Sequence, residues 1–227
     1  MANKQNVKNQ HQGENFENVE QALTKSEEFI EKNQKQLVIG LLVIIAIVAA
    51  VMGYNRFYLQ PLEKEAQTQM FIGEQYFAAD SFKLALQGDG NFLGFESISD
   101  EYSATKSGSL AAYYAGISYM HLGDFQSAID YLNKFDGGDD LVTPVALGAK
   151  GDCYMELGEY ADAISSYKSA TDYDNEFTTP IYLKKLGIAY YTNNENDKAI
   201  ETFKTIREKY SNSAEARDVE KYIALIK

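Results

Sequence analysis

Few side chains in this sequence are placed to do chemistry. Two histidines, His11 and His121, stand 110 residues apart, and the single cysteine, Cys153, has neither of them nearby. A zinc centre needs clustered Cys and His ligands, and a cysteine nucleophile needs a histidine base, so both lack their parts. Cys153 lies in an apolar, helical stretch and reads as a small core residue. Gly88-Asp89-Gly90 with Gly94 misses the spacing of both the phosphate loop and the dinucleotide turn. Two acidic clusters, Asp172/Asp174/Glu176 and the loop Asp136-Gly137-Gly138-Asp139-Asp140, offer the oxygens that calcium takes. Neither has the EF-hand frame, and both read as solvated turns. No enzyme activity, cofactor, metal or small-molecule substrate is expected, so function is sought in a binding surface.

The elements that would carry such a surface are organised around one apolar run. Residues 37–53, LVIGLLVIIAIVAAVMG, form seventeen positions without charge, amide or proline in a chain that is otherwise polar and acidic. As a helix the run is about 25 Å long at ~1.5 Å per residue. Extension to Leu59 takes it past the roughly 30 Å hydrocarbon core of a bilayer. Tyr54, Arg56, Phe57 and Tyr58 suit one membrane interface, and Lys32 and Lys35 flank the other. A soluble core helix would need an equally apolar neighbour, which the chain lacks. A cleaved signal peptide would need a short basic leader, yet 36 residues precede the run and its best exit, Val48-Ala49-Ala50, lies inside it. The expectation is a transmembrane helix over 37–59.

Lys and Arg number 5 before the run and 16 after it, and Asp and Glu number 6 and 27, so −11 of the net charge of −12 follows the run. Such a region repels nucleic acid and anionic lipid. Lys25, Lys32 and Lys35 lie close before the span, whereas only Arg56 and Lys64 follow it before Lys83. That bias points to a cytoplasmic N-terminus and an external tail. A lone cysteine excludes an internal disulfide framework.

Residues 1–15 are polar and expected to be disordered. Residues 16–36 carry Phe16, Val19, Leu23 and Ile30 at helical spacing. This amphipathic cytoplasmic helix either lies on the membrane surface or docks on a cytoplasmic partner. Beyond the span, Pro61 suits a helix start. Residues 60–108 then carry two apolar stripes, Ala66, Met70, Gly73, Tyr76 and Phe77 before the turn at 88–91 and Phe92, Phe95, Ile98 and Tyr102 after it. They are expected to form a degenerate helical hairpin.

From Ser109 the chain repeats itself, in units 109–143, 144–179 and 180–211. Gly116, Gly151 and Gly187 align, as do Tyr119, Tyr154 and Tyr190, then Ala128, Ala163 and Ala199, then Leu132, Tyr167 and Phe203, at spacings of 35 and 36 residues. A small residue, an aromatic three later, an alanine after twelve and a bulky side chain after sixteen is the tetratricopeptide (TPR) pattern. Glycine and alanine admit close helix approach, and the bulky residues fill the gaps between hairpins. Leu122-Gly123-Asp124 and Leu157-Gly158-Glu159 suit left-handed helix ends, and Asn193-Asn194 replaces them in the third unit. Residues 212–227 read as a capping helix, with Asn212 and Glu215 as a capping box and Ala216, Val219, Tyr222, Ile223 and Ile226 as its apolar face. The fold is therefore expected to be all-α: an N-terminal transmembrane helix, a TPR helical-hairpin solenoid and a C-terminal capping helix.

Stacked TPR hairpins curve, and the first helix of each lines the concave side. The pattern places Tyr113, Ile117 and Met120 there from the first clear unit, Asp152, Met155 and Glu156 from the second, and Lys184, Ile188 and Tyr191 from the third. An apolar groove with a few charges suits extended or helical segments of other proteins.

A short head, one span and an external TPR region resemble the ancillary subunit of the bacterial Sec translocon, the YfgM type. KNQKQLVIGLLVIIAIVAAVMGYNRFYLQP and ALQGDGNFLGFESISDEY also resemble TPR proteins of Bacteroidetes-like bacteria. EKYSNSAEARDVEKYIA is similar to envelope TPR proteins, including outer-membrane assembly lipoproteins, whose lipobox cysteine has no counterpart here. The resemblance implies contact with SecYEG, with a membrane-anchored periplasmic chaperone or isomerase, and with secreted clients. It implies a single-pass protein of the bacterial inner membrane, acting as a chaperone-like adaptor with its TPR domain in the periplasm. The alternative is a structural scaffold of an envelope assembly complex that binds no client.

Overall fold

The computed structural model describes Glu27 and residues 30–226. The head 1–15, and Phe16, Val19 and Leu23 of the expected amphipathic helix, lie outside the described residues. The chain divides into two units, Met1–Tyr58 and Leu59–Lys227.

In the first unit residues 30–54 form helix α1, with Leu37, Ile44 and Met52 exposed along it. The helical run Ile30–Ala78 is long and apolar enough to cross a membrane, and none of its apolar window is buried in the protein. Pro61 falls in the first turn of a helix, Gln60–Ala78, as expected, although the helical run is continuous through it. A proline inside a helix has no N–H to give the carbonyl four residues back and crowds it. Here a π-turn, Asn55–Leu59, comes just before it and widens the backbone where the bond is lost.

The second unit is helical throughout, and its sole extended pairing among the described residues is an isolated bridge between Gly88 and Leu93. Its helices are α2 (Gln60–Ala78), α3 (Phe82–Gln87), α4 (Phe95–Glu101), α5 (Lys106–His121), α6 (Phe125–Lys134), α7 (Val142–Leu157), α8 (Tyr160–Thr171), α9 (Thr179–Thr192), α10 (Asn196–Lys209) and α11 (Val219–Ile226). Helices α5/α6, α7/α8 and α9/α10 pack as consecutive hairpins. Gly158 is left-handed at φ 78° and Asn194 at φ 61°, so the turn into the second helix is made as expected in both units. Helix α5 starts three residues earlier than Ser109, because Thr105 Oγ1 accepts from Gly108 N at 3.0 Å and fixes its first turn.

The repeat glycines explain the stacking. A Cβ on Gly116 would meet Leu132, one on Gly151 would sit 2.4 Å from the Tyr167 ring, and one on Gly187 would sit 2.7 Å from the Phe203 ring. The partner alanines Ala128, Ala163 and Ala199 are fully buried. Each hairpin therefore closes by a bulky side chain lying flat on bare backbone. Gly73 makes the same contact, 2.7 Å from the Phe95 ring, and Ala85, twelve residues on, is also fully buried. The second helix of this hairpin is broken into α3 and α4 by residues 88–94. Asp89 holds that break, its Oδ1 accepting from the backbone N–H of Asn91 and Phe92.

At the far end the expected capping box does not form. Glu215–Arg217 is a short 3-10 turn, and Ser213 rather than Asn212 accepts from Ala216 N, at 3.2 Å. The helix begins only at Val219, which is fully buried, with Ile223 beside it. Tyr222 stacks on Phe203 at 5.1 Å, so α11 covers the last hairpin with the expected apolar face.

Candidate protein-binding face

Helices α2, α5, α7 and α9 are the first helices of successive hairpins, and side-chain bonds hold their N-termini along one edge. Glu63 accepts from Ser107 Oγ at 2.7 Å and from Ser107 N at 3.2 Å. Ser109 Oγ accepts from Asp136 N at 2.8 Å, Asn175 Nδ2 donates to Asp140 O at 3.0 Å, and Tyr210 OH donates to Asp174 at 2.5 Å. Burial raises the Glu63 carboxyl, but the bonds from Ser107 and Gln67 outweigh it and hold the group below its usual range.

The nine residues expected in the groove are engaged to different degrees. Ile117 is buried and packs with Leu132, Ala146 and Ala149, while Tyr113 and Met120 lie half-buried against that cluster. The Tyr113 ring tilts onto Phe135 at 5.6 Å, and burial pushes its hydroxyl above the usual tyrosine range. Asp152 is not free: it accepts from Tyr167 OH at 2.7 Å and pairs with Lys185 Nζ at 2.6 Å. Lys184 stands 3.9 Å from Asp218 and lies over the Tyr222 ring. Met155 and Ile188 are half-buried against one core cluster. Glu156 and Tyr191 are exposed. The structure thus brings together Tyr113, Ile117 and Met120, sets Met155 and Ile188 on a common core, and gives two of the three charged residues, Asp152 and Lys184, partners inside the solenoid.

The same face continues onto α2, where sequence reasoning named no site residue. Relative to Gly73, Met70 and Glu74 occupy the positions that Tyr113 and Ile117 hold relative to Gly116. A cavity of 380 Å³ opens there, lined by Gln67, Met70, Phe71 and Glu74 of α2 and by Lys106 and Leu110 of α5. That volume suits one or two large side chains. The signal was present in the sequence, since Gly73 and Ala85 keep the twelve-residue offset of the other repeats.

Cys153 is fully buried, and burial pushes its thiol up to about 11, so it sits in the core as an inert group. His121 stacks on Phe82 with ring centroids 4.2 Å apart. Among the described residues no His, Cys, Asp and Glu gather in a group that could hold a metal.

Residues 110–135 and 144–221 each match a family profile described as tetratricopeptide repeat. Those two segments carry tetratricopeptide repeats. Solved structures agree in fold. Two crystal structures titled as kinesin light chain "nearly identical TPR-like repeats" from Podosopora anserina align over 72% of this chain, with TM-scores of 0.56 and 0.55 at 14% and 13% identity, covering 85% and 86% of those chains. A crystal structure of MamA aligns over 69% of this chain and 93% of its own, at TM-score 0.51 and 22% identity. These likenesses establish the TPR fold alone. No curated protein matches the sequence. TPR repeats are a fold that binds other proteins.

Proposed function

We propose that the chain is a membrane-anchored TPR adaptor, held by residues 37–59, that presents the face of α2, α5, α7 and α9 to protein segments outside the cytoplasm. The observations that carry this reading are the repeated glycine contact, Gly73 to Phe95 through Gly187 to Phe203, and the 380 Å³ cavity between α2 and α5. Tyr113, Ile117, Met120, Met155, Ile188 and Tyr191 supply apolar contact area on it, and Asp152, Glu156 and Lys184 supply charge. The acidic balance favours basic or apolar segments over acidic ones. The resemblance to the Sec translocon subunit supports SecYEG, a membrane-anchored periplasmic chaperone and secreted polypeptides as partners, in a chaperone-like role.

A scaffold without clients is the second reading. The observation favouring it is that Asp152, Lys184 and Tyr113 are already fixed by partners within the solenoid, which suits one shaped partner more than many. Topology is tested first. Protease added outside spheroplasts digests the TPR region and leaves the head protected; a protected TPR region would overturn the periplasmic placement. Purification in mild detergent then separates the two readings, one stoichiometric companion marking the scaffold and a spread of secreted proteins marking the adaptor.

A further inference from the structure

The edge on which α7 and α9 begin displays apolar side chains that the face just described does not use. Phe177 is 79% exposed and Leu141 is 56% exposed. An unconstrained loop phenylalanine would fold back onto nearby apolar surface. Phe177 is held out by its own turn, in which Asn175 Oδ1 accepts from Phe177 N at 3.1 Å and Thr178 N at 2.7 Å. Through the Asn175–Asp140 bond this loop is tied to the preceding one, which sets Leu141 and Phe177 in one patch. Next to Leu141 in sequence, Val142 lines a cavity of 320 Å³ with Leu110 and Phe135, where the carboxylates of Asp136 and Asp139 outnumber the one cation, Lys106. Asp140, Asp172 and Glu176 lie exposed in the same two inter-helix loops.

We infer that this edge is a second docking surface, for a cationic segment bearing apolar side chains on another protein. The apolar patch and cavity supply contact area, and the exposed carboxylates select positive charge.

Full-length protein in detergent micelles is titrated with a fluorescent peptide of alternating lysine and leucine and with its glutamate–leucine counterpart. The lysine peptide binds, and added salt weakens it. Phe177→Ser with Leu141→Ser lowers its affinity about tenfold. Asp140→Asn with Glu176→Gln gives a similar loss and a flatter salt dependence, while Glu201→Gln on α10 changes nothing. Undiminished binding by both edge variants, or equal binding of the glutamate peptide, overturns the inference. Because the chain has no tryptophan, Phe177→Trp is a clean reporter in neutral-lipid nanodiscs. Its emission moves to the blue only when the lysine peptide is added; quenching by brominated lipid without peptide makes the bilayer the occupant and overturns the proposal.

Discussion

In α5 to α10 each repeat glycine stands 16 residues before the side chain that covers it, whereas in α2 to α4 Gly73 stands 22 residues before Phe95. The contact is the same in space and different in sequence. What a TPR hairpin requires is a bulky group on bare helix backbone, and an unbroken second helix is only one way to bring it there. The first hairpin instead ends α3 at Gln87, turns through left-handed Gly88 at φ 77°, and restarts at Phe95. The regular hairpins have an unbroken second helix where this one has a joint. That difference should be visible in how each tolerates damage.

The largest contrast is expected from a buried charge. Ala163→Arg places a guanidinium at a fully buried site, costing roughly 3–5 kcal/mol. Both flanking hairpins should loosen with it, because each repeat is stabilised by its neighbours. Ala85→Arg, equally buried, should be confined to the first hairpin, which has a hairpin neighbour on one side only. Hydrogen exchange on the full-length protein in detergent checks both; global loss of protection from Ala85→Arg would erase the comparison.

A smaller effect sharpens it. Gly151→Ala forces a methyl against the Tyr167 ring, and the bond from Tyr167 OH to Asp152 stops that ring from yielding. A net loss of about 1–2 kcal/mol is expected after the gain in helix propensity. Gly73→Ala meets the Phe95 ring at 2.7 Å, but that ring sits at the joint, so the change should be within about 0.5 kcal/mol of neutral. Thermal melts of the two variants measure the difference directly.

The mildest test is alkaline. Burial, with the Asp152 charge second, pushes Tyr182 up to about 12 and Tyr167 higher in the same direction; burial and the Asp174 bond push Tyr210 up to about 12. Unfolded tyrosine ionises near pH 10. The folded chain holds these protons longer, so their stabilisation is complete below about pH 10 and is lost as pH rises toward 12. Helices α7 to α10 should weaken over that window, and melts at pH 9 and pH 11 should show it.

The three regular hairpins were legible because glycine, aromatic and alanine recur at fixed offsets. Gly73 and Ala85 kept the same offset, but the stretch 88–94 moved the aromatic out of register and hid the covering residue. At the terminal cap the pattern offers Asn212 with Glu215, whereas Ser213 Oγ accepts from Ala216 N one residue further on, and only the backbone path decides which of the two pairs forms. Pattern proposes residues for a binding face but not how each is engaged. No spacing rule says that Asp152 is claimed by Lys185, or that Lys184 is drawn to the cap by Asp218. Such pairs are made across hairpins, where a single sequence carries no register.

The account stands on the claim that the first-helix face touches protein in transit. Photo-crosslinkers at Tyr191, which is exposed, and at Phe71, beside the 380 Å³ cavity, test it in living cells. The account predicts that both positions capture several secreted proteins and one constant membrane partner, and that the secreted set disappears when secretion is stopped. A single partner whose capture is unchanged when secretion stops would contradict it and leave a scaffold in its place.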